Sequence, residues 1–379
     1  SSAPVLEPVL GYTLILPKGT DAQTMLPKLR QLEDEDPMLR ILWNEQLKEI
    51  RIQLMGEVQT EILRDIILDR FDMDVTIDRG GIMYRETVAL PVEGVGHYEP
   101  LRHYAEAHIV ISPLKRGSGI IYASECPDEL LPREWQTHIL SQLASKEHLG
   151  VLTGSPLTDV KLTLIAGKAH LKHTEGGDFR EASLRAVRQG LMKAQSILLE
   201  PWYEFEIEVP PEQIGRAISD IRAKSGEFET EGSSKIKGFA PVSELSGYAS
   251  ELASYTSGRG RISMRLSGYR ECHNTQEVLE NTHYEPESDL ENSPDSVFCA
   301  HGAAVVVKWN EVEENMHVQT GFGREKDGPQ VYIPRVRSID DKELEAIMER
   351  EFGPIKRRMY TKAEAMSLTE YSVAPTKRE

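Results

Sequence analysis

Residues 203–209 alternate without a break: Phe205, Ile207 and Val209 are apolar, while Glu204, Glu206 and Glu208 are acidic. That is the period of a strand with one face buried and one in water. What surrounds this strand constrains the fold more than the strand itself. Pro210 and Pro211 open a helix that turns Ile214, Ala217, Ile218 and Ile221 to one side, with Gly226 just past its end. Strands over 227–231 and 235–239, a helix over 243–256 and a strand over 262–266 complete the order β-α-β-β-α-β.

The same order occurs near the start. A strand over 5–16 leads to a helix over 21–33, where Met25, Leu29 and Leu32 stand at helical spacing. The helix ends where Asp36 precedes Pro37, since a residue before proline is pushed out of the α region. Strands near 38–44 and 48–55 follow, then a helix over 57–71 with a stripe of Val58, Ile62 and Ile66 widened by Leu63 and Ile67. A strand over 74–77 closes the set. Each set predicts a split βαβ sandwich of the ferredoxin-like kind.

Between the two lies a region over 87–201 with strands at 104–112 and 159–165 and a long helix over 179–198. Asp178 is the expected N-cap, with Glu181 three residues on as a capping box. Phe179, Ala182, Ala186, Val187, Leu191, Ala194 and Leu198 form the expected buried stripe. Glu181 and Arg185 pair at i,i+4 on the outer face, with Arg188 one turn further. Beyond 273 the sequence predicts an acidic solvated linker, a strand over 303–309, a Gly-rich loop at 321–329 and a helix over 340–352.

A length of 379 residues implies several domains. No apolar run approaches the roughly 20 residues that span a bilayer, and no signal peptide precedes the first strand. The start at Ser1 without an initiator Met implies that a longer protein continues upstream. Cys126, Cys272 and Cys299 lie far apart, which suggests neither a disulfide framework nor a zinc knuckle and makes the cytoplasm the default home. The net charge of −17 argues against a nucleic-acid partner, but the distribution is uneven. Residues 161–195 carry seven Lys or Arg against three acids, whereas 277–295 carry seven acids and no Lys or Arg.

No GxxxxGK[ST] phosphate loop occurs, so the chain is not expected to bind or hydrolyse GTP by itself. No nucleophile elbow or paired catalytic carboxylates stand out, and no catalytic, cofactor-binding or metal-ligating set is assigned. His170, His173 and Glu175 lack the helical frame and further ligand of a metal site. The segment 167–178 joins a strand to a helix and has a composition suited to RNA. Lys168 and Lys172 can neutralise phosphates, while His170 and His173 can stack on bases. By residue types alone an ordinary Gly-rich connection is the commoner reading. Lys115 and Arg116, in the turn 113–119, and Arg259, between Gly258 and Gly260, are secondary candidates for phosphate contact. Lys356, Arg357 and Arg358 either touch RNA or cap the last helix.

Several segments in series resemble one family. Leu32–Pro37, Gly56–Val58 and Tyr84–Thr87 look like the third domain of elongation factor G and its relatives. Tyr104–Ser112, Pro113–Gly119, Gly154–Asp159 and Gly167–Arg180 are similar to the fourth, and Leu198–Pro201, Gly238–Tyr248 and Thr256–Arg261 to the fifth. The resemblance implies an α+β multidomain chain, with two ferredoxin-like sandwiches flanking a ribosomal-protein-S5-like α/β domain and a C-terminal α+β extension. It places the domains at 1–86, 87–201, 202–272 and 273–379, the last of unknown role.

Within the family the chain looks closest to the tetracycline-resistance ribosomal protection proteins. The usual Lys/Gly/Arg-rich entry loop of the fourth domain is replaced by His97–His103, and about 100 residues follow the fifth domain. His170, however, falls where elongation factor G carries a His at the tip of its fourth domain. The implied role is ribosome binding, with the tip loop Lys168, His170, Leu171, Lys172, His173, Thr174 and Glu175 entering the 16S rRNA decoding centre. Arg259 would lie near the GTPase-activating region of 23S rRNA. GTP and Mg would belong to an N-terminal domain outside this sequence, and the protein would be a cytoplasmic monomer with no membrane partner. The alternatives are an elongation factor G-like translocase fragment and, from another class, a stand-alone RNA-binding module or enzyme sharing only the fourth domain's fold.

Overall fold

The computed structural model describes residues 9–37, 39–44, 48–54, 58–78 and 81–322. Gly56, Glu57, most of the 321–329 loop, the helix expected over 340–352 and Lys356–Arg358 lie outside them. The first sandwich is β1 (Leu10–Ile15), α1 (Ala22–Glu35), β2 (Arg40–Asn44), β3 (Glu49–Leu54), α2 (Val58–Phe71) and β4 (Thr76–Asp78). Leu10, Tyr12 and Leu14 alternate inward on β1 and sit opposite Leu54, Ile52 and Ile50 on β3. The Asp21 side chain caps α1 by accepting the Gln23 N–H at 3.2 Å. On α2 the expected stripe is turned by one residue: Leu63 and Ile67 are buried, while Ile62 is 55% exposed. Both i,i+4 rows are apolar, so periodicity alone could not choose between them.

In the middle region the chain forms β5 (Arg85–Val88), β6 (Val92–Tyr98), β7 (Ala105–Pro113), β8 (Ile120–Ser124), α3 (Arg133–Ala144), β9 (Val160–Ala169) and α4 (Gly176–Lys193). Helix α4 is shorter than expected at its C-terminal end, because Ala194 turns extended. Leu198 is buried, but in the next strand. The second sandwich is β10 (Ser196–Glu208), α5 (Ile214–Ala223), β11 (Glu227–Glu231), β12 (Lys235–Pro241), α6 (Tyr248–Tyr255) and β13 (Arg261–Glu271). Its path, β11-β12-β10-β13, repeats the β2-β3-β1-β4 path of the first. Helix α6 starts at Tyr248, not 243, where Gly247 takes a left-handed φ of 72°. The extension adds α7 (Thr275–Glu280), β14 (Ser296–Ala300), β15 (Ala303–Val307) and α8 (Val312–Asn315).

These elements make two compact units. One contains the described parts of 1–84 and 199–273, the other those of 85–198 and 274–322. In the first unit the two sandwiches share apolar packing. Val242 is buried in the core of the first sandwich, Tyr203, Leu266 and Tyr269 pack against it, and the Tyr269 hydroxyl donates to the Met83 carbonyl at 2.6 Å.

In the second unit the sheet runs β15-β14-β6-β7-β9-β8. One face buries Ala105, Ala107, Ile109 and Ile111 with Phe179, Ala182, Ala186 and Leu191 of α4. The other face, bearing Val95, is covered by Phe298, Val312 and Met316 of the extension. The acidic stretch is therefore only partly solvated. The Asp295 carbonyl accepts from Arg185 at 2.7 Å, and Tyr284 and Asp289 engage Arg188. Arg188 is 4% exposed and donates to the carbonyls of Leu149 and Gly150. The helix face read as outer is covered there by the returning chain, although Arg185 and Glu181 do pair at 3.4 Å.

Glu86 shows why two separated motifs belong together. Its buried carboxylate accepts the N–H groups of Leu152, Thr153 and Ser155 at 2.7–3.1 Å, and Thr87 donates to the Asp159 carbonyl. The 84–87 and 154–159 segments are thus two sides of one anchor.

The α4–β6 contact is the tightest in this unit. A Cβ at Gly96 would lie 1.9 Å from the Ala182 carbonyl oxygen, whereas one at Gly177 meets nothing within 4 Å. Gly96→Ala is expected to destabilise the second unit by about 3 kcal/mol or more, the upper end for overpacking, because the obstacle is backbone. Gly177→Ala stays near the parent. Urea denaturation of the intact chain measures both, and equal midpoints would refute the close approach.

Candidate RNA-contacting loop

The loop between β9 and α4 is short, local in its bonding and turned outward. The His170 carbonyl accepts the N–H groups of His173 and Thr174, and the Lys172 N–H donates to His170 Nδ1 at 3.2 Å. The Thr174 hydroxyl accepts the His170 N–H at 2.7 Å and donates to the Tyr104 carbonyl at 2.6 Å. These bonds stack the His170 and His173 rings at 4.6 Å and 21°. Lys168, His170, Lys172, His173 and Glu175 are exposed, Thr174 is half-buried, and Leu171 is fully exposed. The result is a two-imidazole platform flanked by two ammonium groups and an unburied leucine.

Asp178 holds this loop to the sheet, but not as the expected N-cap. Gly176 and Gly177 adopt helical backbone, so Glu175 is the N-cap and Asp178 is the third helical residue. The Asp178 carboxylate accepts the Glu175 N–H at 2.8 Å and the Tyr104 N–H at 3.3 Å, and lies 2.8 Å from His103 Nδ1. Asp178 is the acid of the reciprocal capping motif, and Glu181 is displaced from that role.

Beneath the loop lies a largely buried row of glutamates and histidines that sequence reasoning missed. Glu93, His108, Glu106, His97 and Glu99 follow one another at 2.7–2.9 Å from nitrogen to oxygen. Residues 97 and 106 are cross-strand partners on β6 and β7. Glu106 also accepts the N–H groups of His317 and Val318, and Glu93 the Thr320 hydroxyl. Burial opposes charge on His108, but the carboxylates of Glu106 and Glu93 outweigh it and raise its pKa to about 9. Burial likewise opposes charge on Glu106, and the hydrogen bonds from His108 and His97 hold it well below the ordinary carboxylate range. The sequence signal was available: His97 near the end of one strand with Glu99 just past it, Glu106 and His108 on the next, each pair two residues apart. One donor atom each from His97, Glu99 and His317 also lie within 4.8 Å of one another.

Of the secondary candidates, Lys115 and Arg116 stand apart from the loop. Lys115 and Arg116 are exposed in the β7–β8 turn, held by Gly117 and Gly119 at positive φ and by Asp159 accepting the Gly119 N–H. Register pairs Pro113 with Val160 but Ala105 with Ala169, so this turn and the 168–175 loop occupy opposite ends of one sheet. At about 3.4 Å per residue that separates them by roughly 30 Å. Arg259 is in the other unit and ion-pairs with Glu212 at 3.1 Å.

Three family models match in sequence order. They are Elongation Factor G domain III over residues 5–79, Elongation factor G domain IV over 80–195, and the Elongation factor G C-terminus over 197–278. Among solved structures, a crystal structure from Thermus thermophilus superposes with a TM-score of 0.57 at 24% identity. The match covers 74% of this chain and 43% of that one, so the chain spans under half the length of this neighbour. Among the described residues, no helix is long and apolar enough to cross a membrane.

Two outcomes test the geometry. Asp178→Ala removes the acceptor for two backbone N–H groups and costs about 1–2 kcal/mol, the range for a lost cap. Trypsin then cleaves after Lys172 faster than in the parent, while Glu181→Ala leaves the rate unchanged; equal rates in all three would dismiss Asp178 as the anchor. His108 has a folded pKa above its unfolded value, so its contribution is complete below about 6.5 and is lost as pH rises through about 9. Thermal stability of the parent should therefore fall by a few kcal/mol over that window relative to His108→Gln. A parallel decline in both proteins would remove His108 as its source.

Proposed function

The chain carries the third and fourth domains and the C-terminus of elongation factor G, and on that footing we propose that it is the ribosome-binding C-terminal part of a translational GTPase of the ribosomal protection type. In this reading the 168–175 loop enters the decoding centre of the small subunit. Lys168 and Lys172 neutralise phosphates there, and the stacked His170 and His173 offer a face to a base. GTP and Mg are handled by an N-terminal domain of a longer cytoplasmic protein, since the sequence itself has no phosphate loop. Lys115, Arg116 and Arg259 make separate contacts if they touch RNA at all, because they are remote from the loop or ion-paired.

The observation that carries the proposal is the loop itself. It projects two cations, two stacked imidazoles and a bare leucine from a rigid sheet end, in a protein of net charge −17. Among the described residues nothing covers Leu171, which lies in sequence between the two lysines. The protection type is favoured over a translocase by His97–His103, which lead into the buried charged row where the entry loop is otherwise Lys/Gly/Arg-rich. His170 favours the translocase.

Co-sedimentation of the chain with ribosomes across a salt series tests the loop. Lys168→Glu with Lys172→Glu is expected to weaken binding by more than tenfold. It should also flatten the salt dependence by roughly 1.4 in the slope of log K against log salt, at about 0.7 per lost phosphate contact. Unchanged binding would remove the loop from the interface. Tetracycline protection of translation in cells expressing the full-length protein separates resistance from translocation.

A further inference from the structure

The His97 ring is fully buried, with Nδ1 2.9 Å from Glu106 Oε1 and Nε2 2.8 Å from Glu99 Oε2. A neutral imidazole has one N–H and one lone pair. With the N–H given to Glu106, the Nε2 lone pair points at a carboxylate, which is repulsive unless a cation lies between them. A second proton on the ring or a metal cation can fill that place. Here a third donor is present, for a ring nitrogen of His317 shares the same small space, all three donor atoms lying within 4.8 Å of one another.

We propose that His97, Glu99 and His317 bind a single divalent transition-metal cation at the base of the 168–175 loop, for which Zn2+ is the fitting probe. Two imidazole nitrogens and one carboxylate oxygen are the protein ligands of an open zinc site, with water in the fourth position. Metal–ligand bonds of about 2.0–2.1 Å in a tetrahedron hold donor atoms about 3.3 Å apart. The His97–Glu99 gap widens by about half an ångström to reach that, and the His317 ring swings in.

The surroundings are those of a metal site. Glu106 accepts from His97 Nδ1 and so fixes the tautomer that leaves Nε2 free, the orienting role a second carboxylate plays at zinc centres. The same carboxylate accepts the backbone N–H groups of His317 and Val318 at 2.8 and 2.7 Å, so it positions two of the three ligands at once. The Tyr104 hydroxyl bonds His317 Nδ1 at 2.6 Å, and Phe298 stacks on the His97 ring at 4.0 Å as an apolar wall. Glu99 and His317 are both open to solvent, which gives an ion a way in.

The cation would tie the end of β6 to the chain segment that follows α8. Tyr104 links that point to the loop, since its carbonyl accepts the Thr174 hydroxyl and its N–H meets Asp178. Metal binding therefore stiffens the platform from which the loop projects.

The 379-residue chain, stripped with a chelator, is titrated with Zn2+ by calorimetry, and the retained metal is counted by mass spectrometry after desalting. One Zn2+ per chain is expected. His317→Ala and Glu99→Gln, both at solvent-accessible positions, should each weaken binding at least tenfold while the circular dichroism of the metal-free protein stays that of the parent. Cys272→Ala and the double variant His170→Ala, His173→Ala should keep the parent affinity. Failure to retain Zn2+, parent-like affinity in His317→Ala, or loss of binding in the Cys272 or loop variants would each overturn the site.

Discussion

Helix α4 lies so close to β6 that no side chain fits between them, and the arrangement of the second unit follows from that contact. Gly94 and Gly96 face the carbonyls of Ala186 and Ala182, and Gly190 comes back against Gly94. Backbone against backbone leaves little freedom in either axial position or rotation. Gln189 fixes the remainder, accepting the Val95 N–H at 2.8 Å and donating to the Trp309 carbonyl at 3.0 Å. With the helix set in this way, its first turn falls beside Tyr104, where Asp178 can reach the strand end. The exposed loop inherits its position from three glycines that meet along α4 between Ala182 and Gly190.

The unit also relies repeatedly on one device, a buried carboxylate that collects N–H groups from a distant segment. Glu86 gathers the 152–155 loop, Glu106 the 317–318 backbone and Asp178 the Tyr104 N–H just before β7. Glu200 does the same in the other unit, accepting the His273 N–H at 2.9 Å and the Trp202 indole at 3.2 Å. A lone buried carboxylate is costly, and two or three charge-assisted bonds offset much of that cost only when the geometry is complete. Each such residue therefore demands its partner segment. This makes 296–320 a part of the second unit: without it, Glu106 would lose two donors and Val95 its cover from Phe298, Val312 and Met316.

Both sandwiches were legible because their strands are half-buried and say so by alternation, as in Phe205 and Ile207 against Glu206 and Glu208. Alternation and helical spacing also drew the stripe of α4 correctly from Phe179 to Leu191. What escaped has a physical pattern. Strand β6 carries glycine where it meets α4 and charge where it meets the extension, so neither face shows the hydrophobic signal of a strand. Arg188 read as solvent-facing because sequence periodicity sees only one helix, not the Tyr284 ring laid over it. Asp178 was recognised as a capping residue but placed three positions too early in the motif, because Gly176 and Gly177 suggest loop while their backbone is helical. The loop residues 168–175 were legible as a candidate by composition. Their anchorage on Tyr104 depends on a contact from a distant strand end, which no local pattern carries.

The distribution of charge leaves one loop of this acidic protein open to a polyanion. In the second sandwich many surface cations are spent on neighbours: Arg259 on Glu212, Arg261 on Glu208 and Arg270 on Glu227. Paired charges of this kind are short-range dipoles, largely screened beyond a Debye length of about 8 Å. Lys168 and Lys172, by contrast, stand on an exposed loop with Glu175 as its acid. Approach of a polyanion by any broad acidic face is disfavoured by like charge, while approach along the loop is not. Among the described residues, a polyanion that met this sheet end would find the two imidazoles and the bare Leu171 beside the lysines, groups whose contacts do not depend on net charge.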